Sequence, residues 1–590
     1  MPRDRFLITT ADERAWRRDV PVVFLGEWCR LFKRKEAWSE LDAIVCPPYG
    51  VSKARKDHDF EAASGLEREL IPVLAQGLNR AHGLHHSERF WRILAGHWLK
   101  RFVDTIYNRY HTLEQCTSDV SGMRVLWDEQ YSLAVVNSNS FVWASNDAVW
   151  NNVLFARLLP YLGSFQIERV LCDLGSGFRM KEVHPAHALP ATALSRLKAR
   201  LRNILRWLRA KRFSNRDALI LHTYMSAEAE FDLQRKIGQR PRTWHVPPHA
   251  ALAPVDRNLR ESLRSDASVA DPLRRSLHDL LFDLLPVCFL EGFSDLRHQA
   301  SMLPWPRHPR FIFNCANYDT DEAFKCWTAM RVEEGIKYFI GQHGNNYGTH
   351  RQIARRTTEQ MTADKFLTWG WTDGHPAKVP AFMFRHGGAA KVTMDPHGGL
   401  LLAEDCLPHH VYCWDIFHDY DRLFSAQLSF ARALPLALKA KLTVRLHGPG
   451  ENLERWGDRE RWRDFDPEIE LEGGAAPFGE LLRRSRLVVY GYDSTGMLEN
   501  LASNVPTMAF WADGLEHVLD TALPVYALLV DAGIIHLTPE SAAAKVAEVW
   551  DDVSSWWLSP SVQEARSKFC EAFARTSETP VDDLVRLLTA

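Results

Sequence analysis

The chain has 590 residues, 25% of them charged, with a formal net charge of −2. That length exceeds a single hydrophobic core, so two or three domains are expected, and the near-neutral balance gives no electrostatic case for nucleic acid as the main partner. Ten Cys without zinc spacing, and no apolar run approaching ~20 residues, argue against a zinc module and a membrane-spanning helix. With no signal-peptide apolar region after Met1, the thiols read as reduced and the protein as cytoplasmic.

FLITT at 6–10 and VVFLGEWC at 22–29 read as the first strands. The polar and aromatic residues near their ends, Thr9, Thr10, Asp12, Glu13, Trp16, Glu27 and Trp28, either line the acceptor side of a cleft or cap and pack. Residues 88–110 place apolar and aromatic side chains three or four apart, which predicts a helix buried on one side. Residues 115–175 read as mixed helix and loop. The basic segment 193–216 suits either an anionic bilayer surface or a solvated helix or linker. DALILHTY at 217–224 is a strand, and 274–286 is helical. FIFNCA at 311–316 and KYFIGQHG at 337–344 flank a helix, a βαβ unit whose strand-end loops are ligand positions. FLTWGW at 366–371 adds a strand.

A stretch rich in Gly, Pro and His then marks a boundary. It divides the chain into an N-terminal α/β domain (1–375) with helical insertions on the acceptor side, a linker or cleft cover (376–405), and a C-terminal donor domain (406–590). In the last part VYCWDI (411–416), LTVRLHG (442–448), RLVVYG (486–491), PTMAFW (506–511) and IIHLTP (534–539) read as strands. Two successive α/β halves place the default site in the cleft between them. The 21 Trp suit sugar faces or core, with core the first reading for most.

The densest chemistry lies at 488–510, VVYGYDSTGMLENLASNVPTMAF. A strand ends in small residues and a helix follows, so Ser494, Thr495 and Gly496 offer hydroxyls and helix-start N–H groups to a phosphate. Glu499 follows about one turn later on the same face. Arg445 and His447 alternate onto one face at another strand's end, suited to a nucleotide phosphate or an acidic sugar. In GQHGNNYGTH, Gln342, His343 and Asn345 form a ligand loop, with His343 as acid, base or phosphate donor; the alternative is a Gly- and Asn-rich turn. Glu291, flanked by apolar residues, is the first candidate for a catalytic carboxylate. Asp321 is the second, or else a helix cap. GxGxxG, GxxxxGK[ST] and GxSxG are all absent, which removes the usual support for NAD enzymes, P-loop NTPases and α/β-hydrolases.

FLITTADERAW with VVFLGEWC, RFWRILAGHWLKRFVDTIYNRY, GQHGNNYGTH with TADKFLTWGW, and YDSTGMLENLASNVPTMAFW together resemble a family of large transferases encoded in bacterial surface-carbohydrate gene clusters. The likeness spans nearly the whole chain. More remotely, the arrangement is similar to the CMP-Kdo-dependent transferases of capsule and lipopolysaccharide. That resemblance implies an α/β fold of two Rossmann-like domains in a GT-B-like arrangement with an enlarged N-terminal half. It implies a donor loop at Ser494, Thr495, Gly496 and Glu499. Arg445 and His447 stand where a strand-end His-Pro usually lies, but Gly448 intervenes before Pro449, which leaves the nucleotide open.

The implied activity is transfer of an ulosonic acid such as Kdo, or a related acidic sugar, from its CMP conjugate to a glycan or lipid-linked glycan. No cofactor or metal is expected, and the location is cytoplasmic or peripheral at the inner membrane. Two other readings stay open: a sugar-nucleotide epimerase or polyol-phosphate transferase, and a non-catalytic scaffold of a polysaccharide assembly complex.

Overall fold

The computed structural model describes residues 5–118, 120–175, 214–245, 253–264, 269–352, 356–386, 393–404, 412–446 and 457–590. Short apolar runs, many of them buried on both faces, build three all-parallel sheets. The first holds β1 (Arg5–Ile8), β2 (Val22–Phe24), β3 (Ala43–Val45), β4 (Val120–Trp127) and β5 (Gln166–Leu171), in the order β3-β2-β1-β4-β5. The middle sheet runs in sequence order through β6 (Leu219–Leu221), β7 (Phe311–Asn314), β8 (Lys337–Gly341), β9 (Lys365–Thr368) and β10 (Lys378–Pro380). The last contains β11 (Gly399–Ala403), β12 (Leu442–Arg445), β13 (Glu470–Glu472), β14 (Ser485–Tyr490), β15 (Thr507–Phe510) and β16 (Ile535–His536). Its order is β13-β12-β11-β14-β15-β16.

The first and last sheets both reverse direction beside their first strand. That is the doubly wound order, which opens a crevice at the carboxyl ends of the strands. The expected α/β fold with Rossmann-like sheets in a GT-B-like arrangement is therefore present, and the N-terminal half is enlarged to two sheets.

Nine helices matter for the site: α1 (Lys53–His82), α2 (Glu88–Cys116), α3 (Ala148–Leu158), α4 (Ala227–Lys236), α5 (Glu322–Glu333), α6 (Arg356–Thr362), α7 (Ile416–Ala433), α8 (Thr495–Ala502) and α9 (Pro580–Thr589). The periodicity at 88–110 predicts burial on one side, but α2 is buried on nearly all sides. Its polar residues permit this by pairing internally. Lys100 Nζ lies 3.2 Å from Asp104 Oδ1, and Arg101 lies 2.7 Å from Asp319. Trp91, Trp98, Trp150, Trp462 and Trp557 are among the largest fully buried side chains.

Several expectations change. Residues 115–175 contain β4 and β5 as well as helix and loop. Residues 412–416 of VYCWDI form no strand: α7 begins at Ile416, and Asp415 Oδ1 caps that helix by accepting the Phe417 N–H at 2.8 Å and the His418 N–H at 3.3 Å. Tyr412, Trp414 and Ile416 face cavities, and Cys413 is buried in the core. Residues 376–405 supply β10 to the middle sheet and β11 to the centre of the last. α9 returns to the middle sheet, where Leu584 and Leu588 share a core with Ile220 and Phe313, and Asp582 lies 2.7 Å from Lys236.

Cys46 and Cys116 are neighbours in the fold, with Cα atoms 6.3 Å apart, within disulfide reach. Residues 193–213 lie outside the described residues. Among the described ones, no helix is long and apolar enough to cross a membrane.

Candidate functional site

A cavity of about 480 Å³ opens where the loop after β8 meets the loops after β14 and β15. Its wall is shaped by docking of one sheet's loop onto the other. The Asn345 N–H donates to Thr495 Oγ1 at 3.0 Å, and Asn345 Nδ2 donates to Asp493 Oδ1 at 2.7 Å. Further along, Arg351 N–H donates to His517 O at 2.9 Å and Leu519 N–H to Thr349 O at 2.7 Å. The Asp493 side chain is 5% exposed; its Oδ2 accepts from Tyr526 Oη at 2.9 Å and lies 3.2 Å from His517 Nε2. One carboxylate therefore ties together three segments of the rim.

Ser494 starts α8 by accepting the Met497 N–H at 3.0 Å. The N–H groups of Thr495 and Gly496 follow it, at a helix start where no intrahelical acceptor exists. Both residues line the cavity. A Cβ on Gly496 would stand 2.9 Å from Tyr490 Oη, so the small residue lets the helix start approach β14 closely. Lys53, Lys56 and Arg422 bring positive charge to the same cavity; Lys56 is 2.8 Å from Asp419, and Arg422 pairs with Asp513.

His343 faces this cavity at the end of a polar chain running into the core. Its Nδ1 lies 2.7 Å from Tyr318 Oη and 3.3 Å from Tyr347 Oη. Tyr347 Oη donates to Glu359 Oε1 at 2.7 Å, and Glu359 on α6 is fully buried. His97 Nε2 lies 3.7 Å from Glu359 Oε2 and its Nδ1 3.9 Å from Asp319 Oδ1. Burial, reinforced by the neighbouring Tyr347 and Glu359, pushes the Tyr318 phenol well above its ordinary range. The Tyr318 oxygen against His343 is thus a neutral hydroxyl that helps fix the ring. When the Nδ1–H donates to Tyr318 Oη, Nε2 is left bare toward the cavity to accept a proton.

The cavity brings together His343, Asn345, Ser494, Thr495 and Gly496. Glu499 lies on α8 but outside the cavity lining, 3.2 Å from Arg385, and burial raises its carboxyl above the usual range. Gln342 is buried and occupied: its Oε1 accepts from Trp369 N–H at 3.0 Å and Trp371 Nε1 at 2.7 Å, and its Nε2 donates to Gly344 O. Arg445 does not line the cavity either, because β11 stands between β12 and β14; it lies 3.6 Å from Glu472. His447 is outside the described residues.

Glu291 is absent from the cavity lining and is gripped by Arg260, with Nε–Oε1 and Nη2–Oε2 both at 2.7 Å, while its Oε1 also accepts the Asp256 N–H. Asp321 caps α5, accepting from Phe324 N–H at 3.2 Å and Asn317 Nδ2 at 3.0 Å, and also lies away from the cavity. Sequence reasoning missed Tyr318, Tyr347 and Glu359. The two tyrosines sit in the very loops singled out after β7 and β8, but nothing in the spacing links them to Glu359.

Burial lifts the Asp321 carboxyl to about 6. A raised carboxyl binds its proton more tightly in the folded chain, so stability falls as pH rises from about 4 to about 6. Asp321→Asn keeps a capping oxygen and removes that cost, worth about 3 kcal/mol at neutral pH. The variant is expected to be more stable than the parent at pH 7 and to lose the advantage near pH 4, with turnover unchanged. Denaturant melts across this range measure it.

A family model described as the LIC12162 family transferase matches residues 5–588. No curated protein matches the chain. Among solved structures, the S. aureus MnaA–UDP co-structure is 11% identical with a TM-score of 0.36, over 63% of this chain and 95% of that one. The rhamnosyltransferase SpnG with spinosyn aglycone is 12% identical with a TM-score of 0.26, over 51% and 80%. WaaG, a glycosyltransferase involved in lipopolysaccharide biosynthesis, is 10% identical with a TM-score of 0.24, over 79% and 99%.

Proposed function

The chain belongs to the LIC12162 family of transferases, and from that premise we propose that it is a nucleotide-sugar-dependent glycosyltransferase acting on a bacterial surface polysaccharide. The observation that carries this reading is the cavity itself. Helix-start N–H groups, lysines and an anchored histidine converge there across two parallel sheets. In the finer reading, the donor is a CMP-linked ulosonic acid or a related acidic sugar.

The N–H groups of Thr495 and Gly496, with Lys56, take the nucleotide phosphate and stabilise it as it leaves. His343, its ring fixed by Tyr318 and Tyr347, moves the proton of the acceptor hydroxyl. Asn345 positions the rim. The acceptor is a glycan or lipid-linked glycan on the cytoplasmic side of the inner membrane.

Calorimetric titration with CMP, UDP, GDP and their sugar conjugates tests this. At least one is expected to bind, with CMP conjugates tightest. Thr495→Ala removes both the hydroxyl and the anchor of Asn345, so affinity should fall about ten- to a hundredfold. Binding by no member of the panel, or unchanged affinity in Thr495→Ala, would sink the reading.

A further inference from the structure

A second cavity, of about 500 Å³, opens beside the first sheet and shares Tyr412, Trp414 and Ile416 with the cavity already described. It lies where the chain leaves β1, at Thr9 and Thr10, and where α3 and α7 begin. Three amides reach it, Asn108, Asn146 and Asn151, of which Asn108 and Asn151 are buried. Each amide both donates and accepts. Arg109 adds a cation whose Nε donates to Asn151 Oδ1 at 2.9 Å. Both lining carboxylates are helix caps: Asp147 accepts from Trp150 N–H at 2.9 Å, and Asp415 caps α7.

Two indole faces complete the wall, Trp28 and Trp414. Two neighbours hold Trp28 in place. Its ring lies so close over Gly26 that a Cβ there would meet it at 2.0 Å, and Phe417 stands 5.4 Å away, centroid to centroid. Aromatic planes beside groups that both donate and accept suit a pyranose, with its apolar face and ring of hydroxyls.

We infer that this second cavity is the subsite for the saccharide acceptor, and that Tyr412, Trp414 and Ile416 form the partition across which its hydroxyl meets the donor. The inference rests on the glycosyltransferase reading and adds where the acceptor binds. It assigns the first sheet to acceptor recognition. Trp28 supplies a stacking face, Asn108 and Asn146 hydrogen-bond sugar hydroxyls, and Arg109 holds Asn108 and Asn151 in position, its Nη1 and Nε donating to their Oδ1 atoms and its Nη2 to Ser145 O.

The test is an array of bacterial surface oligosaccharides, read with a mixture of CMP, UDP and GDP present. Phosphatidylglycerol vesicles serve as a separate arm, and nucleotide titration is run on each variant. Wild type should retain at least one saccharide. Trp28→Ala, which removes a face, and Ala148→Trp, which fills the cavity from its rim, should each reduce retention at least tenfold. Trp28→Phe should keep it, and nucleotide affinity should stay within twofold in all three. Equal retention by Ala148→Trp, no saccharide retained by wild type, or capture of vesicles alone would overturn the assignment. Loss of nucleotide binding in wild type would instead count against the glycosyltransferase reading itself.

Discussion

Replacing His343 by Ala is expected to lower turnover by about 10²- to 10⁴-fold, the range for losing a positioned acid or base, while nucleotide affinity stays within a few-fold. The ring lines the cavity and is held through Nδ1 by Tyr318, 2.7 Å away. Glu359 acts one step behind it as a positioning residue, through Tyr347 at 2.7 Å. Glu359→Gln keeps an acceptor for Tyr347 but removes a negative charge that favours the imidazolium. The acid limb of the pH–rate profile should then move to lower pH, and KM for the donor should hold. A His343→Ala enzyme with near-normal turnover would remove the histidine from the chemistry.

Glu291→Gln should have the largest effect on stability and little on turnover per folded molecule. Glu291 and Arg260 are both almost fully buried and joined by two 2.7 Å contacts. Arg260 Nη1 also donates to the carbonyls of Phe282, Asp283 and Leu285. Neutralising the carboxylate leaves a guanidinium uncompensated in the interior, which costs about 3–5 kcal/mol. Denaturant unfolding reads the loss directly. Donor affinity and turnover, corrected for folded fraction, should match wild type. A variant of normal stability that has lost turnover by several orders of magnitude would return Glu291 to the role the sequence suggested for it.

The contrast shows what a sequence can and cannot display here. The β14–α8–β15 unit was legible because Asp493, Ser494, Thr495 and Gly496 interrupt two apolar runs, and small residues at that place can do little but turn and cap. The β7–α5–β8 unit was legible for the same reason. β11 was not, because its five residues sit inside a Gly-, Pro- and His-rich stretch whose composition reads as a boundary. VYCWDI misled because an apolar run can be buried against a cavity wall as well as in a sheet.

Partnerships far apart in sequence were the least visible. Glu291 and Arg260 are 31 residues apart, and Asn345 meets Asp493 across 148. An apolar setting around Glu291 signals burial, but it does not tell a catalytic acid from one half of a buried ion pair. Likewise Thr495, picked as a ligand hydroxyl, also accepts the Asn345 N–H, a structural duty no spacing reveals.

On the proposed function, the cavity joining the loop after β8 to the start of α8 binds a nucleotide sugar. Hydrogen exchange of the unaltered protein, with and without CMP, UDP, GDP and their sugar conjugates, tests it most directly. One nucleotide is expected to slow exchange in both 343–350 and 491–499, because the ligand takes the α8 helix-start N–H groups and holds the docked loop, while β1 to β5 stay unchanged. Protection confined to other segments, or none with any member of the set, would contradict it.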